Sequence, residues 1–155
     1  MNFIWDYKTP IGRLEIGETN GIISRILFEK NKRLTGFERK ETTAIKTAAE
    51  QLFEYFDGKR KKFDIPLFLV GTDFQKAAWT ALQTIPFGQT RSYKDIAEQI
   101  KNPKAVRAVG MANNRNPIPI IIPCHRVIGS NGSLTGFGGG LEVKQFLLDL
   151  EKRHA

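Results

Sequence analysis

The segment with the clearest capacity for chemistry is residues 123–127, Pro-Cys-His-Arg-Val. It places Cys124, the only cysteine of the 155-residue chain, directly before His125, one of two histidines. A thiolate is a strong nucleophile, but a free thiol with a pKa of ~8.5 is only slightly ionised at neutral pH, so a nearby imidazole that accepts its proton matters. Adjacent side chains of an extended strand point to opposite faces. His125 can therefore serve Cys124 only if the backbone turns there or if a water molecule lies between them.

A histidine base also needs a group that holds its other ring nitrogen, usually a carboxylate. The acids downstream of Cys124 are Glu142, Asp149 and Glu151. Taken alone, a single cysteine is more often a small buried hydrophobic residue than a nucleophile, so a purely structural role stays open at this point. One cysteine excludes an intramolecular disulfide and, with two histidines, a cysteine-rich zinc site. We expect a cytoplasmic protein in a reducing compartment, without metal or cofactor.

The charge distribution favours a polyanionic partner. The formal net charge is +8, and no acidic residue occurs between Gln99 and Leu141. The basic residues in that stretch are Lys101, Lys104, Arg107, Arg115 and Arg126. We predict that this acid-free stretch forms a surface for phosphates. No apolar run approaches the ~20 residues that span a bilayer, and the N-terminus lacks signal-peptide features, so no membrane association is expected.

The elements that must position these groups differ between the two halves. In the first half, strands are predicted at residues 3–7, 12–17 and 21–28, with Asn20-Gly21 as a hairpin turn signal. Apolar residues recur at helical spacing from Ala44 to Tyr55, and Gly58 is a typical stop. Residues 63–69 are predicted as a last strand. The second half is predicted to be mostly helical.

Helix signals recur along the second half. Thr72 or Asp73 caps a predicted helix that ends near Thr84, and Ser92 begins a second one over residues 93–100. Asn102-Pro103 has the pattern of a cap followed by proline at the first helical position, which predicts a third helix over residues 103–113. Two short helices joined by a tight turn are typical of a helix-turn-helix. The proline-rich residues 116–123 exclude a central strand, and a closing helix is predicted over residues 141–153.

The whole pattern resembles the O6-alkylguanine-DNA alkyltransferases, the self-alkylating DNA repair proteins. The signature is Ile122-Pro123-Cys124-His125-Arg126-Val127. Further matching motifs, in the same order and spacing, are Ser92-Tyr93, residues 102–110, Asn116-Pro117, Gly139-Gly140-Leu141 and residues 144–148. The resemblance is strong over residues 71–155 and general over 1–70.

The resemblance implies roles for individual residues. Cys124 would accept the alkyl group, His125 would take the thiol proton through a water molecule, and Glu151 would orient the histidine. Asn116 would brace the turn around the site. Tyr93 would give or share its hydroxyl proton with N3 of the leaving guanine.

The resemblance also implies how DNA and the damaged base are held. Arg107 would enter the base stack and fill the space left by a flipped nucleotide, with Tyr93, Lys104 and Arg115 also at the DNA. The implied substrate pocket comprises Pro119, Val127, Phe137 and Gly138. Phe137 stands where many relatives have tyrosine, and Gly138 where some have serine, so a side-chain hydroxyl is absent at both positions.

We therefore expect an α+β fold. A ribonuclease-H-like antiparallel sheet with a helix is expected over residues 1–70, and a winged helix-turn-helix-type domain over 71–155. The implied function is stoichiometric, irreversible alkyl transfer to Cys124 by a monomer that acts on double-stranded DNA. The implied substrate is O6-alkylguanine, with O4-alkylthymine as a second candidate. Three alternatives remain: a lesion-recognising relative without transfer activity, a cysteine hydrolase that turns over repeatedly, and a transcriptional regulator.

Overall fold

The computed structural model describes residues 1–155 and contains two compact units, Met1–Leu69 and Val70–Ala155. The first unit holds strands β1 (Asn2–Thr9), β2 (Gly12–Thr19), β3 (Ile22–Phe28) and β4 (Glu38–Arg39) and helix α1 (Thr43–Phe56). The second unit holds α2 (Asp73–Leu82), β5 (Arg91–Ser92), α3 (Tyr93–Gln99), α4 (Val106–Asn114), a 3-10 turn (Cys124–Arg126), β6 (Val127–Ile128) and α5 (Leu141–His154). No helix is long and apolar enough to cross a membrane.

The sheet of the first unit has the order β3-β2-β1-β4. β1 and β2 pair antiparallel over their whole length, and β2 pairs antiparallel with β3, which confirms the three predicted strands. Asn20 and Gly21 both have positive φ, 52° and 83°, as a tight hairpin of this twist requires. One face of the sheet packs on α1, where Ile45, Ala48 and Leu52 are buried.

The predicted strand over residues 63–69 is wrong. Only Leu67 makes a bridge, parallel to Ile23. Pro66 has no N–H to donate to a ladder. The backbone of Asp64 pairs instead with the side-chain amide of Gln51, which donates to its carbonyl at 3.2 Å and accepts from its N–H at 2.9 Å. The side chain of Gln51 on α1 thus makes the two backbone hydrogen bonds that a neighbouring strand would otherwise make with Asp64.

The helix beginnings at Thr72 and Ser92 are confirmed. The side chain of each residue accepts a hydrogen bond from the backbone N–H three positions on. The side chain at that third position in turn accepts a hydrogen bond from the backbone N–H of the cap residue. Such reciprocal capping satisfies donors that a helix start otherwise leaves unpaired. Trp79 of α2 is buried, and its indole N–H donates to the Ala112 carbonyl of α4 at 2.9 Å. That bond ties the first helix of the unit to α4.

The predicted start of the third helix at Asn102-Pro103 is wrong, because α4 begins at Val106. Lys101 has a φ of 61°, and the Ala105 N–H donates to the Asn102 carbonyl at 2.9 Å, which closes a separate turn over these residues. Ala105 precedes α4 without a side-chain cap. The mostly helical second unit nevertheless contains the predicted pair of helices. α3 and α4 are in contact with each other, and Ile96, Ala97 and Val109 on them are buried.

The remaining chain builds the surroundings of the cysteine. Residues 118–122 are buried but form no strand beyond a bridge between Pro119 and Ile122, as the prolines lead one to expect. Val127 and Ile128 then pair with the short strand β5. The closing helix α5 is confirmed and buries Lys144, Leu147, Leu150 and Glu151. With a sheet-and-helix first unit and a helical second unit, the α+β prediction is also confirmed.

Candidate active site

Cys124 is the first residue of the 3-10 turn and only 4% exposed. Its N–H donates to the Ile122 carbonyl at 2.7 Å, and the Arg126 N–H donates to the Pro123 carbonyl at 3.0 Å. The backbone therefore turns at the cysteine, which is one of the two conditions under which His125 can serve it.

Two asparagines fix the chain around this turn. Asn116 donates from Nδ2 to the Ile122 carbonyl at 2.7 Å and accepts from the Ile118 N–H at 3.0 Å. Asn113, at the end of α4, donates from Nδ2 to the Cys124 carbonyl at 3.3 Å. Asn116 was predicted to lie here, whereas Asn113 was not, because nothing in its local sequence distinguishes it from an exposed helix residue.

The thiol of Cys124 is a weak acid in this setting. Burial raises its pKa to about 11, although a hydrogen bond from Asn116 and the positive charge of Lys144 act in the opposite direction. At neutral pH the resting protein therefore holds the protonated thiol. A nucleophilic Cys124 requires a base that removes the proton.

His125 is completely buried, and its Nε2 lies 2.5 Å from Oε2 of Glu151. Because Glu151 is ionised, Nε2 must carry the hydrogen, which leaves Nδ1 as the acceptor. Nδ1 is buried and makes no hydrogen bond to a protein atom. Burial lowers the pKa of His125, despite the opposing effect of Glu151, so the imidazole is neutral and able to take a proton.

Glu151 accepts three hydrogen bonds from two residues besides His125. Arg126 donates to its two carboxylate oxygens, from Nε at 2.7 Å and from Nη2 at 3.1 Å, and the Gly88 N–H donates at 3.1 Å. Burial acts to raise the pKa of Glu151, but His125 and Arg126 outweigh it and lower that pKa to about 2. The carboxylate is thus charged, buried and fully oriented.

The expectation that Arg126 belongs to a phosphate-binding surface is wrong. Arg126 is only 6% exposed, and beyond its two bonds to Glu151 it donates from Nη1 to the Ile85 carbonyl at 2.7 Å. A buried guanidinium is stable only when its donors are paired, which they are here. Arg126 therefore holds the carboxylate that orients His125.

Lys144, which the sequence did not single out, is a completely buried cation on α5. Its ammonium donates to the Val127 carbonyl at 2.6 Å and to the Thr135 carbonyl at 3.1 Å. Burial lowers the pKa of Lys144, whereas Cys124 acts to raise it. The ammonium therefore lies within electrostatic range of the thiol. The available sequence signal for Lys144 was its place three residues before Leu147 in the predicted closing helix, a spacing that puts the two side chains on one face.

Tyr93, the first residue of α3, points its hydroxyl at Thr135. The two hydroxyl oxygens are 2.6 Å apart, and either can be the donor. Burial raises the pKa of Tyr93, the hydrogen bond with Thr135 acts to lower it, and the proximity of Cys124 raises it further. The phenol of Tyr93 is thus close enough to Cys124 for the two groups to interact electrostatically.

The four residues predicted to line a pocket lie on two segments. Pro119 and Val127 are buried on either side of Cys124, whereas Phe137 is half-buried and Gly138 exposed in the loop before α5. A Cβ built on Gly138 would meet nothing within 4 Å. No group of three or more His, Cys, Asp or Glu side chains is placed to hold a metal ion.

Comparison with known proteins agrees with this geometry. Residues 73–153 match the family model described as "6-O-methylguanine DNA methyltransferase, DNA binding domain", and residues 6–69 match its "ribonuclease-like domain". The chain belongs to the 6-O-methylguanine DNA methyltransferase family. The ribonuclease-like description agrees with the sheet and helix of the first unit.

Relatives of this family match over nearly their whole length. The constitutive methylated-DNA–protein-cysteine methyltransferase of Bacillus subtilis is 46% identical, over 98% of this chain and 96% of its own. A methylated-DNA–protein-cysteine methyltransferase of Methanosarcina acetivorans is 48% identical, over 94% and 95%. A crystal structure of Mycobacterium tuberculosis OGT in complex with DNA superposes with a TM-score of 0.94 at 46% identity, covering 99% of this chain and 94% of that one.

The residues expected at DNA from the sequence lie on the surface of the second unit. Arg107 is exposed in the first turn of α4, Lys104 is exposed in the turn before it, and Arg115 is exposed directly after it. These three cations are separate from the buried group of Cys124, His125 and Glu151. Arg107, Lys104 and Arg115 make no intramolecular ion pair, so their charges are open to phosphates.

Proposed function

We propose that this protein repairs DNA by moving an alkyl group from O6 of an alkylated guanine to the sulfur of its own Cys124. The observation that carries the proposal is the hydrogen-bonded group of His125, Glu151 and Arg126, which directly follows the cysteine in the chain at His125. A buried free thiol is followed by a neutral histidine whose Nδ1 is free to accept, and whose Nε2 is held by an ionised carboxylate. In this arrangement the histidine can take the thiol proton when the reaction begins, which converts the thiol to the nucleophilic thiolate.

In the proposed activation step, the thiol proton passes through a water molecule to Nδ1 of His125. The resulting imidazolium is stabilised by Glu151 at 2.5 Å. Arg126 supports this role because it keeps the carboxylate ionised and fixed while His125 changes charge. Asn116 and Lys144 stabilise the negative sulfur, since both act to lower the thiol pKa.

In the transfer step, the sulfur lone pair forms the S–C bond while the C–O6 bond breaks. The electron pair of that bond remains with the guanine, whose negative charge makes it a poor leaving group. Tyr93 would give or share its proton with N3 of this guanine, and a positioned acid is worth ~100- to 10,000-fold in such a step. Pro119, Val127, Phe137 and Gly138 would surround the base.

Access to the buried sulfur requires that the damaged nucleotide leaves the duplex. Extrusion costs a few kcal/mol, and an alkylated guanine that pairs poorly costs less, which supplies part of the selectivity. Lys104 and Arg115 would hold phosphates without regard to sequence. Arg107, in the first turn of α4, would fill the space left in the stack.

Replacing Arg107 by alanine is expected to slow repair of duplex DNA by about 10- to 100-fold, the equivalent of ~1–3 kcal/mol of the extrusion cost. Reaction with the free base O6-methylguanine, which needs no extrusion, should change less than about threefold. Arg107→Met is the matched control, because it keeps a long unbranched side chain and removes the charge. Single-turnover rates of the three proteins on both substrates test the wedge role. Equal losses on duplex and free base, or a methionine variant as slow as the alanine variant, would contradict it.

The function itself is tested by mass spectrometry after mixing the protein with duplex DNA that contains O6-methylguanine. The expected result is one methyl group in place of the thiol hydrogen, located on Cys124 by peptide mapping. Because a thioether has no easy route back to a thiol, the yield should stop at one methyl per protein molecule. An unmodified protein that binds the lesion would indicate a recognition protein, and sustained turnover would indicate a hydrolase.

The domain division, the assembly and the location of the protein are part of the same proposal. We propose two domains, residues 1–70 and 71–155, in a monomer that acts on double-stranded DNA in the cytoplasm. The compartment is inferred from Cys124, because a single catalytic thiol must stay reduced to react. Selective binding to one undamaged sequence would favour a transcriptional regulator instead.

A further inference from the structure

The hydroxyl of Tyr93 has one protein partner, the hydroxyl of Thr135, at 2.6 Å. Thr135 lies in a segment that joins β6 to α5 and contains no regular secondary structure between Gly129 and Gly140. Several glycines give this segment conformational freedom, so something must fix Thr135 if its contact with Tyr93 is to be constant.

Lys144 supplies that fixation. Its ammonium, completely buried on α5, donates to the Thr135 carbonyl at 3.1 Å and to the Val127 carbonyl at 2.6 Å. Val127 directly follows the 3-10 turn of Cys124. One buried cation thus joins the segment that carries the nucleophile to the one that carries Thr135.

We propose that Thr135 is a positioning residue for alkyl transfer, whose hydroxyl donates to the Tyr93 oxygen while Tyr93 gives or shares its own proton with the leaving guanine, and that Lys144 holds Thr135 in place. The proposal rests on the proposed function, in which Tyr93 is the acid. Thr135 keeps its own proton throughout. Its effect is to orient the phenol and to stabilise the negative charge that grows on the phenolic oxygen.

The direction of donation follows from the geometry of the reaction. A phenol has one hydrogen, and if Tyr93 directs it to N3 of guanine, its oxygen can only accept from Thr135. A hydrogen bond to a charged acceptor is stronger than one to a neutral acceptor, so the contact strengthens as the proton moves away from Tyr93. In agreement, the hydrogen bond with Thr135 acts to lower the pKa of Tyr93, against the dominant effect of burial.

The test uses three variants of the full-length protein. Thr135→Val removes the hydroxyl at nearly constant volume, and Thr135→Ser keeps it. Ser133→Ala removes another hydroxyl of the same segment, one that bonds only to Asn131 and not to Tyr93. The valine variant should transfer methyl about tenfold more slowly, as expected for the loss of a charge-assisted hydrogen bond. The serine and Ser133→Ala variants should stay within about threefold of the wild-type rate.

A second measurement detects the hydrogen bond between Thr135 and Tyr93 independently of the transfer reaction. The chain has only three tyrosines, so the Cζ signals of ¹³C-labelled tyrosine can be resolved, and Tyr93→Phe identifies the one that belongs to Tyr93. The phenol pKa of Tyr93 should rise in Thr135→Val and should stay at the wild-type value in Ser133→Ala. An unchanged Tyr93 titration in Thr135→Val would overturn the proposal.

Combining Thr135→Val with Tyr93→Phe separates this inference from the proposed function. If Thr135 acts through Tyr93, the valine substitution should slow the Tyr93→Phe protein no further. The same tenfold loss in both backgrounds would overturn the proposal, because Thr135 would then act independently of the phenol. If Tyr93→Phe alone transfers at the wild-type rate, the acid role of Tyr93 fails, while the titration still decides whether Thr135 controls the phenol.

Discussion

Replacing Cys124 by alanine is expected to abolish methyl transfer completely while leaving DNA binding intact. The chain has no second cysteine, so no other thiol can take over as acceptor. His125 and Tyr93 remain in the variant, but neither supplies a comparable soft nucleophile. Binding should persist because Lys104, Arg107 and Arg115 lie on the exposed surface, away from the buried turn. The measurements are methyl transfer from radiolabelled duplex DNA and binding of the same duplex by fluorescence anisotropy.

Cys124→Ser is the matched control for volume. A hydroxyl is close to a thiol in size but is a far weaker acid, so the relay of His125 and Glu151 cannot ionise it to a useful degree. The serine variant should therefore be as inactive as the alanine variant, although it preserves the packing of a site that is 4% exposed. Detection of methyl transfer to either variant would mean that the acceptor is another residue.

Short sequence signals correctly predicted the helix starts that depend only on hydrogen bonds between neighbouring residues. Thr72 and Ser92 begin helices because each caps a backbone N–H three residues on, a bond that depends on neighbouring residues alone. Asn102-Pro103 carries an equally good local signal, yet the chain forms a separate turn there and α4 starts later. The backbone at Lys101, with a φ of 61°, directs the chain into that turn.

The residues that sequence reasoning misplaced or missed are held by distant partners. Arg126 was assigned to phosphates by its position in an acid-free stretch, but Glu151, 25 positions on, pairs with it inside the protein. Lys144 and Thr135 were missed for the same reason, since their roles arise from contacts with Val127 and Tyr93. The motif around Cys124 indicated the reacting group, whereas the supporting shell could be found only in the fold.

Replacing Glu151 by glutamine is expected to slow methyl transfer by about 100- to 10,000-fold, because His125 would stop acting as a positioned general base, a contribution of that size. A glutamine amide can donate to Nε2 of His125 and thereby turn Nδ1 into the donor, so Nδ1 could no longer accept the thiol proton. The measurement is the single-turnover rate on duplex DNA that contains O6-methylguanine. An unchanged rate would show that another group orients His125.

The same substitution should also destabilise the protein, for a different reason. Glutamine leaves the guanidinium of Arg126 buried without a counter-charge, which costs ~3–5 kcal/mol when one partner of a buried pair is removed. The loss depends on pH. The pKa of Glu151 is lowered from 4.5 to about 2, so the stability it contributes is present above pH 4.5 and is lost as the pH falls toward 2. The free energy of unfolding of the wild-type protein should therefore fall by roughly 3 kcal/mol over that pH range. The difference in unfolding free energy between the wild-type protein and Glu151→Gln, measured with urea, should narrow accordingly.

A double variant separates the two effects of Glu151. Glu151→Gln combined with Arg126→Met removes both charges of the buried pair, so no guanidinium is left buried without a counter-charge. The double variant should therefore recover part of the unfolding free energy at pH 7. Its transfer rate should stay as low as that of Glu151→Gln, because nothing restores the orientation or charge balance of His125. Recovery of stability and rate together would mean that Glu151 serves the reaction only by supporting the fold, and the relay from Cys124 through His125 would then end at the imidazole.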